Sequence, residues 1–245
     1  MTETRSTSTG TSGKDTREVI AIDGPVASGK TVVGRELAKR LGWEMLDTGI
    51  MYRALTWHAL QAGSDLSDHV ALTEMAGQVR IDVDKPTPGS IETSSISIDG
   101  VNVTAHLRDP EVEASVSIVA AVPGVREHMV AEQRRLASRG RLVMVGRDIG
   151  TVVVPNAAIK VYLTASPETR AKRRASEMRT TGRDVSDDQV QDEIIRRDGR
   201  DANRDASPLR AADGAIQLDT TNLDRDAVVE AVVELVRRRV PGVWS

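Results

Sequence analysis

Eight consecutive residues constrain this chain more than any others: Gly24-Pro25-Val26-Ala27-Ser28-Gly29-Lys30-Thr31. They match G-x-x-x-x-G-K-[ST] at every fixed position. The run before them, Val19-Ile20-Ala21-Ile22-Asp23, is short and apolar, the pattern of a strand buried on both faces. The run after them, Thr31 to Leu41, reads as a helix. Strand, glycine-rich turn and helix in that order make a phosphate-binding loop. Glycines let the backbone wrap closely around a phosphate, and the loop N–H groups and the helix N-terminus face the anion. Lys30 reaches the β- and γ-phosphates, and the Thr31 hydroxyl is placed to ligate Mg²⁺. Gly24, Pro25, Val26, Ala27, Ser28, Gly29, Lys30, Thr31 and Val32 are therefore the expected nucleotide-binding residues. The motif specifies a nucleoside triphosphate and leaves the reaction open.

The rest of the chain alternates strands with helices, which implies a parallel, doubly wound α/β sheet. Strands are expected at Leu142–Val145, Ile159–Leu163 and Ala215–Leu218, with helices over Thr48–Ala62, Val125–Ser138, Pro167–Met178, Asp187–Arg200 and Asp224–Arg239. One region breaks the rhythm. Val79 to Asp84 alternates with period two, and Asp99-Gly100 joins the alternating triplets Ile96–Ile98 and Val101–Val103. Asp-Gly there is a hairpin signal, because both turn positions need φ > 0. A small antiparallel insertion is expected over 78–107, with the linker Lys85 to Gly89 inside it. Residues 1–17 hold nine Ser or Thr and nothing apolar after Met1. That is expected to be a disordered tail.

Composition narrows the function classes. The chain has 245 residues, no Cys and no Phe. Disulfides, thiol catalysis and Cys-ligated metal sites are excluded, which is compatible with a reducing cytosol, the compartment we expect. No run approaches the roughly 20 apolar residues of a spanning helix, so no membrane role is expected. A formal charge of −3 with few aromatics argues against a nucleic-acid partner. His58, His69, His106 and His128 are scattered without metal-ligand spacing, and His58 is expected to be partly buried. Trp43 and Trp57 are expected in the core, and Trp244 has no assigned function.

A second anion site is suggested by arginines. Leu142 to Val145 runs into Gly146-Arg147-Asp148, where a motor ATPase would have an acidic pair. An Arg at the C-terminal end of a strand sits where such sheets bind ligands. Arg53 lies five residues after Thr48 on the second helix. The segment 170–204 has 10 Lys or Arg and 8 Asp or Glu among its 35 residues. Arg170, Arg173 and Arg174 share one helical face, and Arg197, Asp201 and Arg204 share another. Each set alone reads as a surface ladder. Beside a phosphate loop they read as a charged lid, because phosphoryl transfer is catalysed by positioning and charge neutralisation.

These residues resemble the bacterial cytidylate kinase family, of the nucleoside monophosphate kinases, over about Val19 to Arg239. The resemblance is carried by Ile22-Asp23-Gly24-Pro25 with Gly29-Lys30, Asp47-Thr48-Gly49 with Tyr52-Arg53, Ser117, Pro123 with Val125-Arg126, Gly146-Arg147-Asp148-Ile149-Gly150-Thr151-Val152-Val153, Arg197-Asp198, Asp201, Asn203-Arg204 and Pro208-Leu209. It implies a phosphate-loop NTPase fold with five parallel strands flanked by helices. The core would comprise 18–77, 108–169 and 205–240, the monophosphate-binding insertion 78–107, and the Arg-rich helical lid with its adjoining helix 170–204. It implies transfer of the γ-phosphoryl of ATP to CMP or dCMP with Mg²⁺, by a monomer. Arg53, Arg147 and Arg204 would hold the acceptor phosphate, and Arg197 and Asp201 the sugar. Ser117, Arg126 and Asp148 would read the base, with Thr48 and Tyr52 also in the acceptor site. Lys30, Arg147, Arg204 and Arg174 would serve the transferring phosphoryl, and Asp47 would join Thr31 around Mg²⁺ through water. Two departures stand out: Thr48 where the family often has Ser, and a phosphate loop poorer in Ser and Gly.

The base assignment agrees with cytosine chemistry. Cytosine offers an N4 amino donor beside the N3 and O2 acceptors. Asp148 and Ser117 supply acceptors and Arg126 a donor. Uracil would be mispaired twice, at about 1–3 kcal/mol each. The rival readings are a kinase of UMP or of a small hydroxylated acid such as shikimate, and a non-enzymatic nucleotide-binding regulator. A small-acid kinase has no use for the base-reading set, and a regulator none for the arginines at 53, 147 and 204. No general base is evident, and an acceptor phosphate that is already anionic at pH 7 needs none.

Overall fold

The computed structural model describes residues 18–84, 94–180, 182–240 and 242. The Ser/Thr-rich tail, the linker at 85–89 and Trp244 lie outside the described residues.

Strand β1 (Val19–Asp23) is buried along its whole length, as its unbroken apolar run requires. Val19 and Ala21 point into one core while Ile20 and Ile22 point into another. Each side of the strand is covered by helices, the normal condition of a parallel sheet. The sheet order is β2-β6-β1-β7-β8 and every pairing is parallel, from β2 (Glu44–Asp47), β6 (Leu142–Gly146), β7 (Ile159–Thr164) and β8 (Ile216–Asp219). Four of these strands are the expected ones. β2 is the addition, and it pairs Glu44 to Asp47 against Leu142 to Val145.

Helices α1 (Lys30–Leu41) and α8 (Arg225–Arg239) cover one face. Helix α8 presents Val228, Val229, Val232, Val233 and Val236, a single apolar stripe at helical spacing. Asp224 caps it by accepting from the Ala227 N–H at 2.8 Å, and Arg237 to Arg239 oppose the dipole at its end. The other face carries α2 (Gly49–Gln61), α3 (His69–Gln78), α4 (Pro110–Val119) and α5 (Pro123–Ala137). Helix α3 starts at an Asp68 cap, and α4 and α5 each start on a proline, which suits a first helical position. Trp43 and Trp57 are half-buried at the margins of the two cores rather than inside them, and Trp57 stacks on His106 at 5.3 Å. His58 is likewise half-buried.

The irregular segment forms a three-stranded antiparallel sheet, β3 (Ile81–Asp84), β4 (Ser95–Ile98) and β5 (Val101–Asn102). Asp99 and Gly100 have φ of 49° and 81°, so both turn positions are left-handed, as the Asp-Gly pair predicts. Ile81, Ile96 and Ile98 bury their side chains in the core shared with α2 and α5. Last, α6 (Pro167–Thr180) and α7 (Asp187–Asn203) pack on each other through Ala171, Ala175, Val190 and Ile194. Val26 and Ala27 of the phosphate loop pack against that small cluster. No described helix is long and apolar enough to cross a membrane.

Candidate active site

The sheet sets the geometry. β1 and β6 run side by side with Asp23 opposite Gly146, so the phosphate loop and the Gly146-Arg147-Asp148 turn leave the same edge together. Asp23 locks them: its carboxylate accepts the N–H groups of Ile149 at 2.8 Å and Gly150 at 2.7 Å. Those two residues open a short π-helical turn, Ile149–Val153. Burial pushes the Asp23 carboxyl up to about 6, against the lowering effect of the two N–H groups.

A cavity of about 710 Å³ opens at this edge. Eleven Lys and Arg line it against five Asp and Glu, so it suits a polyanion. On one side Lys30 donates to Pro25 O at 2.5 Å and Ser28 Oγ at 3.3 Å. Burial and the nearby Arg147 charge push its ammonium down to about 7. Thr31 Oγ1 donates to Asp47 Oδ2 at 2.7 Å, and Asp47 Oδ1 accepts Gly49 N at 3.0 Å. A hydroxyl and a fixed carboxylate are hard oxygen donors that suit Mg²⁺, with phosphate and water completing the shell. Among the described residues no cluster of three or more His, Cys, Asp or Glu could hold a metal ion.

The opposite side gathers the predicted acceptor residues. Arg147 Nε donates to Asp201 Oδ2, and Arg204 Nη1 lies 3.6 Å from Asp201 Oδ1. Arg204 is not on α7; it caps the helix in an extended conformation and donates Nε to Ser207 O at 2.6 Å. Arg147 Nη2, Arg204 Nη2 and Arg197 Nε are buried with no hydrogen-bond partner among the described residues. Burial, then repulsion from Arg147 and Arg53, pushes Arg197 down to about 9. Arg126 Nη2 donates to Asp148 Oδ2 at 2.5 Å and Nη1 to Ala120 O at 3.1 Å, and its guanidinium lies 5.3 Å from the Tyr52 ring centre. Burial pushes the Tyr52 hydroxyl up to about 12. Ser117 and Thr48 are buried in the same wall.

Arg170, Arg173 and Arg174 do not act as one face. Arg170 Nη1 donates to Asp198 Oδ2 at 2.5 Å and to Val26 O at 3.3 Å, so it braces the phosphate loop. Arg173 donates to Thr220 O and Leu223 O, and only Arg173 and Arg174 reach the cavity. Sequence reasoning missed Arg35, Arg108 and Arg225 in the lining, and it missed Glu113 on α4. Glu113 accepts from Arg53 Nη1 at 3.3 Å, from Arg174 Nη2 and from Arg183 Nη1 at 2.5 Å. No motif marks it; only its partners do.

Glu113 gives a pH prediction. Burial raises its pKa, but the charges of Arg174 and Arg53 and the arginine hydrogen bonds outweigh that and hold it at about 2, below its ordinary 4.5. A depressed carboxyl stabilises the fold above its unfolded pKa, and the gain is lost as pH falls toward the folded one. Stability should therefore drop between about pH 5 and pH 2, on the order of 2 kcal/mol from this group. Urea midpoints of the wild type and Glu113→Gln should converge over that range. A constant gap would contradict it.

Residues 20–238 match the family model described as cytidylate kinase. A cytidylate kinase of Geobacillus kaustophilus is 46% identical over 90% of this chain and 97% of its own length. One of Bacillus velezensis is 43% identical over 92% and 99%. Among solved structures, shikimate kinase of Bacteroides thetaiotaomicron aligns with 90% of this chain and 96% of its own at 16% identity and a TM-score of 0.45.

Proposed function

The chain belongs to the cytidylate kinase family, and from that premise we propose how its residues share the transfer of a phosphoryl group from ATP to CMP or dCMP. An oxygen of the acceptor phosphate attacks the γ-phosphorus, and the bond to the β–γ bridging oxygen breaks. ADP and CDP or dCDP are the products. The acceptor is anionic at pH 7, so no side chain has to remove a proton.

The observation that supports the division most is the set of three buried, unpartnered guanidinium nitrogens on Arg147, Arg204 and Arg197. Buried donors without acceptors are rare and costly. They share one cavity with the phosphate loop; Arg147 and Arg204 pair with Asp201, and the Arg197 charge also acts on that carboxylate. A dianionic phosphate would satisfy the Arg147 and Arg204 donors and relieve the repulsion, and a sugar hydroxyl would satisfy Arg197. Arg53, Arg147 and Arg204 hold the acceptor phosphate on this reading. Arg197 and Asp201 face the sugar. Ser117, Arg126 and Asp148 read the cytosine edge, with Tyr52 under Arg126 and Thr48 beside them. Lys30 neutralises the donor phosphates, and Arg174 serves the migrating group from the 170–204 lid. The 78–107 insertion supports the monophosphate side.

Thr31 and, through water, Asp47 would hold Mg²⁺. The metal would supply charge neutralisation on the donor phosphates. We infer further that the enzyme works as a monomer in the cytoplasm on small-molecule substrates.

A coupled ADP-release assay with CMP, dCMP, UMP, AMP and shikimate checks the reading. Turnover is expected with CMP and dCMP, at least about tenfold less with UMP, and none with shikimate. No turnover with CMP or dCMP while ATP still binds would overturn it.

A further inference from the structure

Glu113 stands outside every motif, yet it ties together the two sides of the cavity. Arg53 comes from α2 on the acceptor side. Arg174 comes from α6, and Arg183 from the connection between α6 and α7. All three donate to one buried carboxylate on α4. The network has a second tier. Arg174 Nη1 donates to Glu177 Oε2 at 2.9 Å, and Glu177 Oε1 accepts Arg108 Nη1 at 2.7 Å. Arg183 Nη2 donates to Arg108 O at 2.7 Å, just before α4 begins. Ser117 lies four residues after Glu113, one turn further along the same helix.

The charges make this more than a surface ladder. One carboxylate faces three guanidiniums, so the cluster keeps a positive excess for phosphate. Among the described residues Arg53 binds Glu113 and Leu107 O through Nη1, at 3.3 and 3.1 Å. Both Arg53 and Arg174 line the cavity.

We propose that Glu113 is a positioning residue for phosphoryl transfer: it holds Arg174 of the helical pair and Arg53 of the acceptor wall toward the same reacting region. It touches neither substrate itself. The proposal rests on the roles given to Arg53 and Arg174 above.

The test is a double-mutant cycle in the full-length enzyme, with kcat and KM for CMP and ATP measured for Glu113→Gln, Arg174→Ala and both together. Gln keeps the shape and removes the charge. Glu113→Gln should lower kcat about tenfold, raise the CMP KM about threefold and leave the ATP KM within twofold. Arg174→Ala should cost about a hundredfold in kcat, and the double variant should match that kcat while keeping the raised CMP KM, because Arg53 is then the one cavity arginine Glu113 still aims. Glu113→Asp, which keeps the charge, should recover most of the loss. Multiplying losses in the double variant, with Arg174→Ala itself impaired, would make Glu113 merely structural and overturn the proposal. Wild-type kcat in Glu113→Gln would overturn it too. Wild-type kcat in Arg174→Ala would instead remove the underlying role of Arg174, and the proposal with it. Thermal melts of each variant separate any of these results from unfolding.

Discussion

Arg147→Ala lowers turnover by about a thousandfold while ATP affinity stays within about threefold. Arg147 sits at the end of β6, with Nε on Asp201 and Nη2 buried and unpartnered in the cavity. Burial disfavours its charge, but Asp201 more than compensates and holds its pKa above the ordinary value. It is thus a fixed cation whose second arm has no partner among the described residues and is free to meet a ligand in the cavity. On the proposed division of roles, removing it takes a charge from the acceptor phosphate and loosens Asp201, which faces the sugar. The phosphate loop keeps its own contacts, so the loss falls on kcat and on the CMP KM. Steady-state kinetics beside ATP calorimetry checks this. Near-normal turnover would remove Arg147 from the acceptor site.

Gly24→Ala has a comparable effect by a different route. Gly24 has φ of 148°, and a Cβ there would stand 2.1 Å from the carbonyl oxygen of Leu163. Backbone on both sides must move, because Leu163 belongs to β7, which is hydrogen-bonded to β1. A displacement near 1 Å at this point misplaces Lys30 and Thr31 relative to the Arg147 side. Turnover should fall at least about a hundredfold, with a lowered melting temperature and weak ATP binding. Wild-type melting and turnover would show that the loop tolerates the shift.

The phosphate loop was legible in the sequence because its chemistry needs fixed residue types at fixed spacing. The hairpin was legible because only a few residues accept φ > 0 twice in succession. Strand β2 was not: Glu44-Met45-Leu46-Asp47 is four residues with an acid at each end and no β-branched side chain. It becomes a strand by pairing with the apolar β6. Helices α3 and α4 carried start signals, at Asp68 and at Pro110, but are only ten residues each. In the site, Arg197 and Asp201 were readable by helical spacing, but Arg204 was not on their face, because α7 ends at Asn203 and Arg204 is extended. The divergent fates of Arg170, Arg173 and Arg174 were not, because each is decided by partners elsewhere in the chain. Glu113 is the extreme case, with partners 60, 61 and 70 positions away. No local pattern encodes such a contact.

The Asp148, Arg126 and Ser117 wall is proposed to read the acceptor base, and Asp148→Asn is the substitution that probes that role. The amide keeps one oxygen for Arg126 and replaces the other with a donor, which suits the O4 of uracil. The quantity to measure is kcat/KM for CMP divided by kcat/KM for UMP, in wild type and variant. The ratio should be at least about ten in the wild type and fall at least about tenfold in the variant, driven by lost CMP activity and gained UMP activity. An unchanged ratio in a folded Asp148→Asn enzyme would contradict it.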